Sequence, residues 1–125
     1  MKSLEQLSSD NALVTVETIG QTFENRSLVM VSIGRTDADA TKPVIFFDCA
    51  VHAREWIAPA TCLWFVDQLA NQYGNDSQIT RLVDSFEWKI VPVSNPDGYA
   101  YSWTTVILKQ NYNNINMYLF KKKTI

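Results

Sequence analysis

The chain has 125 residues, enough for one domain and too few for two. Hydrophobic residues make up 46% and charged residues 19%, so there is enough apolar surface for a core, which excludes disorder along the whole length. A formal net charge of -2 gives no electrostatic reason to expect nucleic acid or an anionic membrane as partner, and no apolar run approaches the roughly 20 residues that span a bilayer.

The N-terminus lacks the apolar stretch of a secretory signal, so nothing in these residues is expected to direct export. Leu4 to Leu7 reads as the end of a short helix. Val14 to Ile19 alternates apolar and polar residues, as a half-buried strand does, and Gly20 is expected to end it. Leu28 to Ile33 is a second strand, closed by Gly34, and the polar stretch Thr36 to Pro43 reads as an exposed loop. Val44 to Ala50 is a nearly continuous apolar run, which suits a central strand buried on both faces.

Glu55 to Tyr73 is expected to be a helix, because Ile57, Ala60, Leu63, Trp64, Val66 and Leu69 recur at helical spacing. Pro59 falls in its first turn, where no intrahelical bond is lost, and Gly74 supplies the stop. A short helix over Ile79 to Ser85 and a buried strand over Phe86 to Val93 follow. The turn-forming cluster Ser94-Asn-Pro-Asp-Gly98 then ends that strand. Strand, helix, strand in this order implies parallel pairing, hence an α/β fold with helices packed on the sheet. From Lys109 onward the sequence is rich in Asn and Lys with no period, and a poorly ordered tail is expected there. Cys49 and Cys62, one on a strand and one on a helix, read as buried free thiols. Asn25-Arg26-Ser27 and Asn75-Asp76-Ser77 are glycosylation sequons, of consequence only in a secretory compartment.

His52 and Glu55 stand three residues apart directly after a buried strand. Loops at the carboxyl ends of strands are where α/β sheets bind ligands. An imidazole and a carboxylate are both zinc ligands, and two of them converging from one loop make a candidate metal site. Arg54, between them, could draw a substrate carbonyl or carboxylate toward the ion, or could form a simple salt bridge at a helix start. Catalytic zinc normally takes three protein ligands and keeps one position open. His52 is the only histidine in the sequence, so a site with two imidazoles cannot be completed within one copy.

Residues 44 to 103 resemble the zinc metallocarboxypeptidases of the carboxypeptidase A/B type. Asp48-Cys-Ala-Val-His-Ala-Arg-Glu-Trp-Ile57 looks like that family's first zinc-ligand segment, and Val93-Ser-Asn-Pro-Asp-Gly-Tyr-Ala-Tyr101 looks like its second signature at matching separation. A similar helix containing Leu63-Trp-Phe65 joins them, and Leu4 to Arg35 also looks like the start of the catalytic domain. The resemblance implies zinc ligation by His52 and Glu55, a place in the substrate cleft for Arg54, and a turn at Asn95 to Gly98 that shapes the cleft wall. It further implies part of an α/β/α sandwich with a mixed, largely parallel sheet. The implied activity is removal of C-terminal residues from peptides by a zinc-activated water, in an extracellular setting.

Residues 1–105 are expected to be the N-terminal part of such a catalytic domain, and 106–125 a divergent tail. Gln110 stands where the family has an arginine that polarises the scissile carbonyl, and the third zinc ligand and the general-base glutamate are not found. The expectation is therefore a truncated form with weak zinc binding and no activity alone, its partners being peptide or protein C-termini in the complete enzyme. The alternative is a non-catalytic binding or regulatory short form that retains half of the cleft. Self-association through uncovered sheet is expected in either case. Assembly of a different metal site from two copies of His52 is a third reading.

Overall fold

The structure, a computed structural model, describes residues 3–34 and 42–104. The expected tail at 106–125, Gln110 and most of the 36–43 loop lie outside the described residues. Helix α1 spans Leu4–Asp10, longer than expected, with the Ser3 hydroxyl accepting from the Gln6 amide at 3.2 Å and Leu7 buried. Strands β1 (Val14–Gln21) and β2 (Ser27–Ile33) form an antiparallel hairpin. Gly20 does not end β1. Pairing slips there, from Thr18 opposite Val29 to Gly20 opposite Leu28, and the strand continues past the irregularity to Gln21.

Strand β3 (Val44–Asp48) leads through a loop to α2 (Ile57–Gln72), then α3 (Ser77–Ser85), β4 (Glu87–Val91) and α4 (Pro96–Thr104). Pro59 is the third residue of α2, and Gly74 takes the positive φ of 79° that follows the helix end. Helix α3 starts two residues before the apolar pattern does, because the Asp76 carboxylate accepts from the amides of Gln78 and Ile79. Pro96, Asp97 and Gly98 were expected to make only a turn. They form the first turn of α4 instead, since proline at the first helical position has no intrahelical bond to lose.

The sheet is mixed, in the order β1-β2-β4-β3. β3 and β4 pair in parallel across the helical connection, as expected, while β2 is antiparallel both to β1, through the hairpin that joins them, and to β4. Parallel pairing is thus a smaller share of these four strands than the sequence suggested. Val31, Ile33, Ile90, Val66, Leu69 and Val83 are almost wholly buried where α2 and α3 cover β2 and β4.

Two expectations need correcting. β3 is not buried on both faces. It pairs only with β4 among the described residues, and Val44 and Phe46 are 53% and 57% exposed, while Ile45 and Phe47 pack against the core. Cys49 and Cys62 are not free thiols but a disulfide, with Cα atoms 6.6 Å apart. The chain turns back after β3, so the second turn of α2 comes to lie beside the end of the strand it left.

Candidate metal and substrate site

The loop between β3 and α2 carries all three expected site residues. The sheet ladder reaches its last rung at Cys49, whose amide donates to the Val91 carbonyl at 3.0 Å. Ala50 then takes a left-handed conformation, with φ of 59°, which turns the chain off the sheet. His52 and Glu55 lie on the turn that follows, closed by the Glu55 amide donating to the His52 carbonyl at 3.1 Å.

His52 Nδ1 and Glu55 Oε1 are 3.1 Å apart, with side chains 63% and 62% exposed. In the Nδ1–H tautomer the imidazole donates to the carboxylate. Two ligands of a tetrahedral ion at roughly 2.1 Å stand about 3.4 Å from each other, so the pair needs little adjustment to share a zinc. The donor set, one nitrogen and one oxygen, also suits that metal. Among the described residues no group of three or more metal-binding side chains comes together, so the pair offers two candidate donors and not a closed site. Both side chains border a depression of about 360 Å³, also lined by Phe47, Ala58, Cys62 and Phe65. Arg54 is exposed on the same loop.

Several supports of this loop escaped the sequence. The Cys49 carbonyl accepts from both the amide and the hydroxyl of Ser94, at 2.8 and 2.9 Å. The Asn95 carboxamide donates to the Val51 carbonyl at 3.2 Å. The Cys49–Cys62 bond ties the start of the loop to α2. At its far end the Trp56 ring stacks on Trp103 with centroids 4.1 Å apart, and its indole N–H donates to the Ser102 hydroxyl at 3.0 Å.

The second signature is also tied to the hairpin. The Asp97 carboxylate accepts from the Thr22 hydroxyl at 2.7 Å, the Glu24 amide at 3.1 Å and the Arg26 guanidinium at 2.7 Å. Burial pushes the Asp97 carboxyl up, but these hydrogen bonds outweigh it and hold the group below its ordinary pKa of 3.8. Arg26 also pairs with Glu24, and the two carboxylates together raise its pKa. Only the compact Asn-Pro-Asp-Gly sequence hinted at this role.

The zinc carboxypeptidase family model matches residues 1–118. This chain belongs to the zinc carboxypeptidase family. It is 45% identical over 101 residues to human carboxypeptidase B, covering 80% of this chain and 24% of that protein. It is 46% identical over 86 residues to rat mast cell carboxypeptidase A, covering 69% and 20%. The structure of thrombin activatable fibrinolysis inhibitor superposes with a TM-score of 0.76 at 35% identity, over 82% of this chain and 25% of that one. Carboxypeptidase A from Helicoverpa armigera gives 0.71 at 34% identity, over 80% and 24%. The chain therefore spans about a quarter of the length of these zinc carboxypeptidases. The four strands and their helices are a fragment of the carboxypeptidase fold.

Proposed function

We propose that this chain supplies two zinc ligands, His52 and Glu55, and a cleft residue, Arg54, to a metallocarboxypeptidase that removes C-terminal residues from peptides or proteins. The observation that carries the reading is the 3.1 Å approach of His52 Nδ1 to Glu55 Oε1 on a loop at a strand end, inside a stretch that matches the family. Zinc, when bound, supplies a Lewis acid and lowers the pKa of a coordinated water. The Arg54 guanidinium offers a planar pair of N–H donors for a substrate carboxylate or carbonyl. The Cys49–Cys62 disulfide supports an extracellular or otherwise oxidising setting, because such bonds persist there.

The 125 residues hold one histidine, and two protein ligands bind zinc weakly. We therefore expect isothermal titration to give an affinity in the micromolar range or weaker, lost in His52→Ala. Nanomolar binding, or binding untouched by His52→Ala, would overturn the assignment. On the same ground these residues by themselves release no C-terminal amino acid from a peptide in the presence of zinc.

A second reading, a non-catalytic binding form, is favoured by one observation. Val44 and Phe46 are more than half exposed on β3, whose outer edge has no strand partner among the described residues. We propose that this surface pairs with a second copy of the chain. Sedimentation should then show a dimer that Phe46→Lys dissociates, and a monomer at all concentrations would refute it.

A further inference from the structure

We propose that Asn95 is a positioning residue for His52, and that Gly98 is the glycine its side chain requires. The proposal rests on the reading of His52 and Glu55 as a ligand pair.

The segment from Ala50 to His52 has left the sheet, and Ala50 holds a left-handed conformation that an alanine does not favour. Such a conformation persists where neighbouring segments hold the backbone around it. Those neighbours are Ser94 and Asn95. Ser94 binds the Cys49 carbonyl through two donors, on the near side of Ala50. Asn95 binds the Val51 carbonyl, one peptide beyond the far side of Ala50, through its carboxamide nitrogen. That carbonyl belongs to the peptide that leads into His52, so holding it sets the direction in which the imidazole leaves the backbone.

The orientation of the carboxamide is not arbitrary. The Val51 carbonyl can only accept and the Gly98 amide can only donate, at 2.9 Å to Asn95 Oδ1. Each end of the amide thus faces the one partner it can satisfy. The Asn95 carbonyl also accepts from the Tyr99 amide at 2.9 Å, so the same residue caps α4 and braces the loop. A Cβ at position 98 would lie 2.6 to 2.8 Å from the Asn95 carboxamide nitrogen, oxygen and carbon. Any side chain there must displace the group that holds Val51. Gly98 has no positive φ to explain it, so this close approach is the reason for the glycine.

Asn95→Asp separates the two duties. The carboxylate still accepts from the Gly98 amide but sets an oxygen against the Val51 carbonyl. Gly98→Ala moves the carboxamide by steric contact alone. Asn11→Asp serves as the remote control, because Asn11 braces another segment in the same way, donating to the Ala70 carbonyl at 2.7 Å and accepting from the Leu13 amide at 3.0 Å.

Hydrogen exchange of the Glu55 amide, bonded to the His52 carbonyl, reports the turn without any metal. It should accelerate at least about tenfold in Asn95→Asp and Gly98→Ala while the amides of β2 and β4 keep their protection. In Asn11→Asp it should stay unchanged. Zinc affinity should fall about tenfold in the same two variants and not in the control, the size expected for an outer support of a ligand. The proposal fails if Glu55 exchange stays within twofold of the parent in both variants, or if β2 and β4 lose protection to the same extent. If exchange responds as stated but His52→Ala leaves zinc binding intact, the bracing stands and the ligand assignment falls.

Discussion

β2 and β4 bury Val31, Ile33 and Ile90 completely beneath α2, whereas β3, with an equally apolar run, leaves Val44 and Phe46 more than half exposed and lies next to the exposed His52 and Glu55. The difference lies in neighbours and not in side chains. β2 and β4 have strands on both sides and helices above, while β3 has β4 alone among the described residues. Burial, and with it the cost of substitution, follows position in the sheet. The half that carries stability and the half that carries the proposed ligand pair can therefore be altered separately.

The largest contrast should come from paired truncations. Ile90→Ala removes a buried side chain at the centre of the sheet and should cost about 3 kcal/mol, the usual range for such cavities being about 2–5 kcal/mol. Phe46→Ser, on the exposed face of β3, should change the stability of the monomer by less than about 0.5 kcal/mol, read at a concentration too low for copies to pair. Urea unfolding of both variants measures the gap. Comparable losses at higher concentration would mean that the outer face of β3 is covered in solution, most simply by a second copy of the chain.

The disulfide joins the two halves, since Cys49 directly follows β3 and Cys62 sits on the helix that covers the core. A cross-link between residues 13 apart in sequence is worth about 2–3 kcal/mol by loop-closure entropy. Reduction, or Cys49→Ser with Cys62→Ser, should lower the urea midpoint accordingly. The Glu55 amide should also lose exchange protection beyond that global loss. A midpoint unchanged by reductant would show that the bond adds nothing to the bracing by Ser94, Asn95 and Trp56.

The same contrast explains what could be read from the sequence. Local pattern located all four strands and α2 and α3: alternation marked β1, helical spacing marked α2, and a continuous apolar run marked β3. It misjudged β3, since a continuous apolar run records an intended neighbour on each side and not the neighbours these residues possess. His52, Arg54 and Glu55 were legible because they are close in sequence and share one loop. The disulfide, the Asn95 brace and the Asp97 clamp were not, because each joins segments that only the folded path of the chain brings together. Asp97 meets Thr22 across 75 residues and Asn95 meets Val51 across 44, separations at which local pattern carries no information. Even the turn-forming cluster misled, because Pro96 and Gly98 suit the start of a helix as well as a turn.

The smallest expected effect tests whether the hairpin end of the core is linked to the site by charge. Asp97 is 19% exposed and takes hydrogen bonds from Thr22, Glu24 and Arg26 that only the carboxylate form accepts in full. Its pKa in the folded chain is lowered from 3.8, so folding favours the ionised form. The stabilisation is fully present above the unfolded value and is lost as pH falls through the lower, folded one. Asp97→Asn should therefore cost about 1 kcal/mol near neutral pH, allowing for solvent screening of a surface cluster. The difference in thermal midpoint between parent and variant should shrink as pH drops below about 4. A constant difference from neutral to acid pH would mean that hydrogen bonding, and not charge, holds α4 to the hairpin. In that case Thr22→Val, which keeps the volume and removes one donor, should do as much damage as Asp97→Asn.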